Sequence, residues 1–264
     1  MSNNPLIPEK MEILEVTAQT DIDITYKVKC NMKPQNGQFV QVSIPRVGEA
    51  PISISDFSDD HIEMTIRKVG SLTNEIYNLK KGDYLYLRGP YGKGFPIEKY
   101  KGKHLIIAAG GTGLAPVKSI VNHFYRNEHE VKRFDLLIGF KSPKDILFKD
   151  EIKAWEEKIN LTLTVDNADE GYEGNVGLIT KYVPNIKIED MDNVEVVIVG
   201  PPIMMKFTAL EFLKLGVPKE KIWVSFERKM SCAIGKCGHC KIDETYVCLE
   251  GPVFNYTKAE QLID

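Results

Sequence analysis

The stretch HLIIAAGGTGLAPVKSIVNHFYRN, residues 104–127, decides the class of fold, because glycines join an apolar run to a helical pattern there. The run at its start is almost wholly apolar, as is typical of a strand buried on both faces of a parallel sheet. From Leu114 onward, apolar residues recur at helical spacing. A strand, a glycine-rich turn and a helix in this order indicate the first unit of a doubly wound α/β domain.

The same alternation of strands and helices continues along the chain. Strands are predicted at FDLLIGF (134–140), LTLTVDN (161–167), VEVVIVGPP (194–202) and KIWVSFE (221–227). Helices are predicted at KDILFKDEIKAWEEKI (144–159) and IMMKFTALEFLKLG (203–216). Strands that alternate with helices form a parallel sheet, so residues 100–226 are predicted to be an α/β domain.

The first 99 residues have a different pattern, in which turn formers separate short β-type runs at intervals of roughly ten residues. These runs are MEILEVTAQT (11–20), IDITYKVKC (22–30), GQFVQVSIP (37–45), HIEMTIRKV (61–69) and GDYLYLRGP (82–90). They predict a small antiparallel barrel or sandwich. Residues 227–264 contain four of the five cysteines and little regular pattern, and form a third segment. The fifth, Cys30, is predicted to be a buried strand residue.

The composition excludes several classes of protein. A formal net charge of −3 gives no reason to expect nucleic acid or an anionic membrane as a partner. No apolar run approaches the roughly 20 residues that span a bilayer. The beginning of the chain, MSNNPLIPEKMEI, lacks the basic and apolar regions of a secretory signal. A cytoplasmic location is therefore expected, where clustered cysteines indicate a metal rather than disulfides.

Two glycine-rich strand ends are candidates for a nucleotide site. In AAGGTGLAPV (108–117), glycines would let a phosphate approach the backbone at a helix start. The spacing GGTG departs from the dinucleotide fingerprint GxGxxG, and a plain tight turn is the alternative. GPPIMM (200–205) ends a later strand in the same way. Ligands of doubly wound sheets bind at the carboxyl ends of strands, so both ends are expected to line one crevice.

Two segments of the β region are also unusual. In APISIS (50–55), alternation places Ser53 and Ser55 on one face, which suits either a polar surface or a flat ligand. In RKVGSLTNEI (67–76), a helical pattern begins at NEIYNL. Ser71 or Thr73 would cap that helix, or the hydroxyls would hold a phosphate together with Arg67 or Lys68.

The cysteines of SCAIGKCGHCKIDETYVC (231–248) have the spacing C-x4-C-x2-C-x7-C. A structural zinc site typically pairs cysteines as two CxxC-like units a dozen or more residues apart. The spacing observed here is that of plant-type [2Fe–2S] ferredoxins, although thiolates alone do not exclude zinc. Ala233, Gly235 and Gly238 would let backbone N–H groups turn toward the sulfurs, and His239 is expected to face away from them. The predicted ligands are Cys232, Cys237, Cys240 and Cys248.

The order of these segments resembles the ferredoxin–NADP reductase superfamily. Within it, the chain is most similar to the branch with the dihydroorotate dehydrogenase B electron-transfer subunit, and there to the B subunits of anaerobic sulfite reductases. The motifs that carry the resemblance are PRVGEAPISISD (45–56), GGTGLAPVK (110–118), VGPPIMM (199–205), ERKMSCAIGKCGHC (227–240) and YVCLEGPVFNY (246–256). They keep their order over nearly the whole chain.

The resemblance implies FAD in an N-terminal antiparallel barrel and NADH in the α/β domain. The family's flavin-binding strand usually reads Arg-x-(Tyr/Phe/Ile)-Ser, but Ala50 replaces the arginine here, and Arg46, Arg67 or Lys68 would substitute for it. Glu227 would lie near the flavin, with a solvated or capping role as the alternative. Lys141 and Ser142 would lie near the 2′ position of the nicotinamide nucleotide. The implied cofactor residues are Pro51, Ile52, Ser53, Ile54, Arg67, Lys68, Val69, Gly70, Ser71, Thr73, Gly110, Gly111, Thr112, Gly113, Gly200, Pro201 and Pro202.

The function implied by the resemblance is an electron relay. Electrons pass from NADH through FAD to the [2Fe–2S] cluster, and then to partner subunits that carry iron–sulfur centres and sirohaem and reduce sulfite to sulfide. No catalytic acid or base is expected, because the redox chemistry belongs to the cofactors. One alternative is the same relay serving another acceptor, such as dihydroorotate dehydrogenase. A second alternative is a zinc-stabilised nucleotide-binding regulatory module.

Overall fold

The computed structural model describes residues 4–262, which form two compact units. The first unit comprises the chain up to Gly94 together with Glu227–Pro252, and the second comprises Phe95–Phe226 together with the residues from Val253 onward. Two short ends lie outside the described residues. They are residues 1–3, which begin the stretch MSNNPLIPEKMEI, and residues 263–264, which end the predicted third segment. Among the described residues, no helix is long and apolar enough to cross a membrane.

The first unit contains a seven-stranded antiparallel sheet in the order β4-β3-β7-β1-β2-β6-β5. Its strands are β1 (Glu9–Ala18), β2 (Asp23–Lys29), β3 (Phe39–Ile44), β4 (Gly48–Ser53), β5 (Asp56–Phe57), β6 (His61–Arg67) and β7 (Tyr84–Tyr91). The two edge strands, β4 and β5, are separated by only two residues of chain. The sheet must therefore curl until its edges meet, which confirms the predicted barrel.

The barrel core consists of the inward residues of these strands. Alternation predicts this arrangement, since every second side chain of a strand faces one side. Cys30 is buried in this core, but it lies one residue beyond the end of β2 rather than in the strand. Gly37 and Gly82 precede β3 and β7 with φ of 87° and 90°, a conformation that favours glycine.

The second unit contains the predicted parallel sheet, in the order β11-β10-β9-β8-β12-β13-β16, with β16 (Val253–Asn255) as an edge strand. Its parallel strands are β8 (His104–Gly110), β9 (Arg133–Phe140), β10 (Asn160–Val165), β11 (Asn175–Val176), β12 (Val194–Val199) and β13 (Ile222–Ser225). From β8 the chain builds outward through β9 and β10, and it then returns to place β12 on the other side of β8. The strand order thus reverses between β8 and β12, where open α/β sheets bind ligands.

The longer helices agree with the sequence patterns except at one place. The α-helices are α1 (Ser71–Tyr77), α2 (Ile97–Tyr100), α3 (Leu114–Arg126), α4 (Lys149–Trp155), α5 (Pro202–Lys214), α6 (Val247–Glu250) and α7 (Tyr256–Ala259). Short 3-10 helices occupy Gly111–Gly113, Glu128–Glu130, Pro143–Asp145, Ile179–Lys181, Val183–Asn185, Met191–Asn193 and Lys219–Lys221. The predicted helix over 144–159 is too long, because Phe148 has a left-handed backbone and breaks the helical path before α4. Helix α1 begins at Ser71, three residues earlier than its pattern predicts.

The C-terminal segment has more structure than its sequence indicates. Strands β14 (Lys241–Ile242) and β15 (Thr245–Tyr246) form a small antiparallel pair between the third and fourth cysteines of the cluster. Strand β16 (Val253–Asn255) then pairs antiparallel with β13 in the second unit. Elements of two to four residues are too short to show a hydrophobic period, so sequence reasoning missed them.

Candidate cofactor sites

The two glycine-rich strand ends lie side by side in the second unit. Strands β8 and β12 are neighbours, with Ala109 paired to Val199. A Cβ on Gly113 would lie 2.5 Å from the carbonyl oxygen of Val199, and one on Gly200 would lie 2.7 Å from the sulfur of Met204. Only glycine allows the turn after β8 to come this close to the end of β12.

The turn itself leaves room for a ligand at one position. Residues Gly111–Gly113, which include Thr112, form a 3-10 turn that leads directly into α3. Gly111 has φ of 55°, and no protein atom lies within 4 Å of the place a Cβ would take. At the neighbouring strand end, Pro201 precedes Pro202, the first residue of α5. The arrangement fits a nucleotide, since free N–H groups at a helix start and an open glycine backbone accept phosphate.

The loop after β9 carries the residues expected near the 2′ position of the nucleotide. Lys141 is exposed, whereas Ser142 is buried. The hydroxyl of Ser142 donates to Oδ2 of Asp145 at 2.5 Å. Asp145 was not among the predicted residues, and it places a carboxylate beside Ser142. A basic residue is the usual device for holding a 2′-phosphate.

Strand β4 presents the expected flavin segment at an edge of the barrel sheet. Ala50 and Ile52 pack against the barrel core, while Pro51 and Ser53 are half-buried. The predicted alternation fails after Ser53, because the strand ends there. Ser55 consequently does not share a polar face with Ser53. It is fully buried, and its hydroxyl has no hydrogen-bond partner among the described residues. Ile54 is also buried, in the core.

The segment around Gly70 leaves fewer groups open to a phosphate than its sequence indicates. The Thr73 hydroxyl accepts the N–H groups of Val69 and Gly70, at 2.9 and 3.0 Å, so it caps α1. Arg67 binds both carboxylate oxygens of Asp23, at 2.8 and 3.0 Å. The ammonium of Lys68 lies 4.4 Å from the centre of the Tyr77 ring.

The same segment has open space beside Gly70, although its N–H groups are partly engaged. Gly70 has an extended backbone, and nothing lies within 4 Å of the place a Cβ would take. Val69 and Ser71 are exposed. Arg46, in the turn between β3 and β4, is exposed and forms no ion pair among the described residues. The N–H groups of Val69 and Gly70 already donate to the Thr73 hydroxyl. The exposed guanidinium of Arg46 therefore fits an anionic ligand better than the three side chains already engaged.

Glu227 lies in the first unit, like the flavin candidates. Its carboxylate interacts with the charge of Arg67. The side chain is exposed, although surrounding protein raises the pKa of the carboxyl group while Arg67 lowers it. This electrostatic influence places Glu227 in the neighbourhood of Arg67.

The sulfurs of three of the four clustered cysteines accept backbone hydrogen bonds. The N–H of Gly235 lies 3.2 Å from the sulfur of Cys248, and those of Lys236 and Cys237 lie 3.3 and 3.4 Å from the sulfur of Cys232. The N–H of Cys248 lies 3.4 Å from the sulfur of Cys240. Left-handed residues shape this loop, as small residues allow: Ala233, Gly235 and Gly238, with φ of 60°, 71° and 80°.

Backbone N–H groups favour negative charge on the sulfurs, and burial opposes it. Backbone groups of Cys232 and His239 lower the pKa of Cys237 to about 7, whereas burial raises that of Cys248 to about 12. His239 is exposed, and its contribution comes from its backbone. No group of three or more Cys, His, Asp or Glu side chains within residues 4–262 is arranged to hold a single metal ion. An iron–sulfur cluster needs a different arrangement of ligands, because its four thiolates bind iron atoms that sulfide ions bridge.

Arg88, which sequence analysis left without a role, contacts the cysteine loop. Arg88 of β7 donates to the carbonyl oxygen of Cys232 at 2.8 Å and to that of Ser231. It also forms an ion pair with Glu49 of β4, with Nε 2.9 Å from Oε2. In the sequence, the one sign of these contacts is a charged residue within the strand pattern LYLRGP. That sign does not identify Glu49 or the cysteine loop as the partners of Arg88.

Comparisons with known proteins cover both the nucleotide and the cysteine regions. The family model described as an oxidoreductase NAD-binding domain matches residues 107–209. The model described as the iron–sulfur cluster binding domain of dihydroorotate dehydrogenase B matches residues 227–260. Sulfhydrogenase 1 subunit gamma of Pyrococcus furiosus is 33% identical over 97% of this chain and 93% of its own. A probable dihydroorotate dehydrogenase B electron transfer subunit from the same organism is also 33% identical, over 86% of this chain and 81% of its own.

The chain belongs to the dihydroorotate dehydrogenase B electron-transfer branch of the ferredoxin–NADP reductase superfamily. Among solved structures, one described as an NADH-dependent reduced ferredoxin-NADP oxidoreductase has a TM-score of 0.79 and 25% identity. That match covers 100% of this chain and 91% of the other. As a member of this branch, the protein is an NAD-dependent oxidoreductase chain. Its cofactors are NAD(H), FAD and an iron–sulfur cluster.

Proposed function

We propose that the protein is the NADH-oxidising electron-transfer subunit of an anaerobic sulfite reductase complex. The observation that carries the electron-transfer role is the loop of four cysteines with backbone N–H groups directed at three of the sulfurs, on a chain that also carries an NAD-binding sheet. The sulfite acceptor rests on the resemblance of the motif PRVGEAPISISD (45–56) to the corresponding subunits of sulfite reductases.

The cofactors supply the redox chemistry, since flavin accepts a hydride from NADH and releases electrons singly to a [2Fe–2S] cluster. The protein's part is to bind and to position. Cys232, Cys237, Cys240 and Cys248 are the proposed cluster ligands. Backbone N–H groups on the sulfurs would tune the reduction potential of the centre that they bind.

The two nucleotide ligands are assigned to different units. The glycine turn Gly110–Gly113 and the residues Gly200–Pro202 would receive the nicotinamide nucleotide at the switch point of the parallel sheet. Pro51–Ile54 and the exposed segment Val69–Ser71 would receive FAD, with Thr73 holding the α1 start in place. Arg67 and Lys68 would act there only by exchanging their present partners.

The cofactor assignment is tested on anaerobically purified protein by iron, sulfide and flavin analysis and by NADH titration of the visible spectrum. We expect about two irons and one flavin per chain, on the stated chemistry of this cluster type, and loss of the flavin absorbance on adding NADH. Cys240→Ser and Cys248→Ser should remove the cluster absorbance but keep the flavin. Cys30→Ala is the matched control, because Cys30 lies in the barrel core. One zinc and no iron would contradict the assignment.

The acceptor is tested by anaerobic isolation of the complex that the protein forms. We expect iron–sulfur and sirohaem subunits to co-purify, and the complex to couple NADH oxidation to sulfite reduction. The isolated chain should not reduce sulfite. The names of relatives at 33% identity favour a second candidate, the same relay serving dihydroorotate dehydrogenase or a sulfhydrogenase. A complex that couples NADH to orotate or to protons, and not to sulfite, would establish it.

A further inference from the structure

Arg88 is the most fully engaged charged side chain near the cysteine loop. Its side chain is 6% exposed, and all five N–H groups of its guanidinium have an acceptor. Nε and one terminal nitrogen bind the two carboxylate oxygens of Glu49. The other N–H groups reach the carbonyl oxygens of Ser231 and Cys232 and the hydroxyl of Tyr91, the last at 3.2 Å.

The fold explains why this contact is possible. Arg88 is paired across the sheet with Gln41, and Gln41 is paired with Pro51 of β4. Directly opposed residues of antiparallel strands point to the same face, and Glu49 shares that face because it lies two residues from Pro51. This face is opposite to the one that Val40 and Val42 present to the barrel core. The cysteine loop therefore meets the outer face of β4, β3 and β7.

The far end of the cysteine segment meets the barrel close to the same strand. The N–H of Lys93 donates to the carbonyl oxygen of Gly251 at 2.5 Å. A Cβ on Gly92 would lie 2.6 Å from Cδ of Pro252, so the chain after β7 touches the segment there. The segment thus contacts β7 at one end and the turn after β7 at the other. Of these two contacts, the one made by Arg88 involves a charged group, whereas the one at Lys93 is between backbone groups.

We infer that Glu49 and Arg88 form a positioning pair that fixes the first cysteine of the iron–sulfur loop and sets the electrostatic potential at the cluster. The inference rests on the proposed function, since it takes Cys232 as a cluster ligand. Reduction adds one negative charge to the cluster, so a nearby positive charge favours the reduced form and a negative charge opposes it. In the intact pair the two charges offset each other while the guanidinium holds the loop carbonyls.

This arrangement makes the two single variants move the cluster potential in opposite directions. Arg88→Gln leaves the carboxylate of Glu49 alone and should shift the reduction potential to a more negative value. Glu49→Gln leaves the guanidinium alone and should shift it to a more positive value. The double variant should return close to the wild-type potential, because both charges are gone. A merely structural role would not produce opposite signs.

The test is a redox titration of the intact protein followed by the electron paramagnetic resonance signal of the reduced cluster, with iron and flavin contents measured for each variant. Lys27→Gln is the control, because Lys27 lies on β2, two strands from β7, and pairs there with Glu15 and Glu63. Its removal should leave the potential unchanged. If Arg88→Gln loses its cluster, the positive shift of Glu49→Gln decides the matter. Arg88→Lys keeps the charge but not the planar fork, so its potential should stay near that of the wild type while its signal broadens.

Shifts of equal sign, or unchanged potentials in variants that retain iron, would overturn this inference and leave the proposed function intact. Wild-type protein without iron and sulfide would overturn the proposed function and this inference together. The iron analysis of the wild type separates the two failures.

Discussion

At the scale of single residues, side-chain partners decide which groups are available to a ligand. Thr73 and Arg67 have the residue types that a phosphate site needs, but the structure gives the hydroxyl to the start of α1 and the guanidinium to Asp23. Ser142 likewise has a hydroxyl suited to a phosphate, yet it donates to the carboxylate of Asp145. A carboxylate partner of this kind adds negative charge beside the residue that the sequence pattern identifies, although that residue is the same.

The Asp145 carboxylate is expected to discriminate against NADPH. Asp145→Asn removes a negative charge beside the expected position of the 2′-phosphate, and a relief of about 1 kcal/mol corresponds to roughly a fivefold gain in kcat/KM for NADPH. The value for NADH should change little. Steady-state reduction of an artificial acceptor with each nucleotide measures both. Asp150→Asn, on the exposed start of α4, is the matched control, and an equal gain in that variant would contradict the role of Asp145.

At the scale of elements, close backbone approach and buried charge hold the parallel sheet at its two ends. The carboxyl ends of β8 and β12 touch through glycines. At the amino ends, Asp135 of β9 accepts from His104 of β8 at 2.5 Å and from Arg133 at 2.6 Å. Asn160 of β10 donates to the same carboxylate, which therefore connects three adjacent strands.

Gly113→Ala tests the close approach at the carboxyl ends. The added methyl would meet the backbone at Val199 and Gly200, so we expect a loss of about 1–3 kcal/mol in the free energy of unfolding. NADH oxidation should fall as well, because β8 and β12 must separate. Gly102→Ala is the control: Gly102 has φ of 68° but open space around it, so it should cost about 1–2 kcal/mol and leave NADH oxidation unchanged. Equal kinetic losses in the two variants would argue against a special role for Gly113.

Asp135→Asn tests the polar connection at the amino ends. Burial raises the pKa of Asp135, but hydrogen bonds from His104 and Arg133 outweigh it and hold the pKa below the ordinary 3.8. A lowered pKa stabilises the fold above the unfolded value, and this contribution is lost as the pH falls through the folded value. The variant should lose about 1–3 kcal/mol at pH 7, and the difference should shrink below about pH 4. Tryptophan fluorescence during urea unfolding at several pH values measures it, and a pH-independent difference would refute the charge argument.

At the scale of the whole molecule, the chain passes between its two units three times, after Gly94, Phe226 and Pro252. The cysteine segment is therefore an insertion that packs with the barrel, while the chain that follows it returns to the parallel sheet as β16. Val253, Phe254, Tyr256 and Ala259 are buried in the second unit. Residues beyond the last cysteine thus complete the nucleotide-binding unit.

A chain that ends at Pro252 should retain all four cysteines and still lose stability in the nucleotide-binding unit. Each large apolar side chain that it no longer buries is worth about 1.5–3 kcal/mol, so we expect the thermal transition of that unit to fall by more than 10 °C, by the scaling of about 2–4 °C per kcal/mol for this size. Fluorescence of Trp155 and Trp223, both in the second unit, reports it.

Phe254→Ala should lower the free energy of unfolding of the same unit by about 3–5 kcal/mol. This loss should be smaller than that of the shortened chain, because the other C-terminal side chains stay buried. Iron content should stay at the wild-type value in both proteins. Loss of iron together with an unchanged thermal transition would show that the C-terminal residues support the cysteine loop instead.

The sequence by itself determined the class of each unit and the candidate ligands of the cluster. Alternation over the first strands predicted the antiparallel sheet, the run from His104 to Gly113 predicted the first strand and turn of the α/β domain, and cysteine spacing predicted four ligands. Each of these signals lies within a few residues of chain, where side-chain direction follows directly from the backbone period. They could be predicted because no distant partner is needed to produce them.

Only the tertiary structure decided which distant residues meet. Arg88 contacts Cys232 across 144 positions, β16 joins β13 after an intervening segment, and Arg67 is paired with Asp23. Such pairs depend on the order of strands in a sheet and on which edge closes, and a local period contains no information about either. The physical reason is that burial and charge pairing are satisfied by the whole fold at once, so the same arginine is a ligand group, a loop anchor or a strand residue according to what lies opposite it.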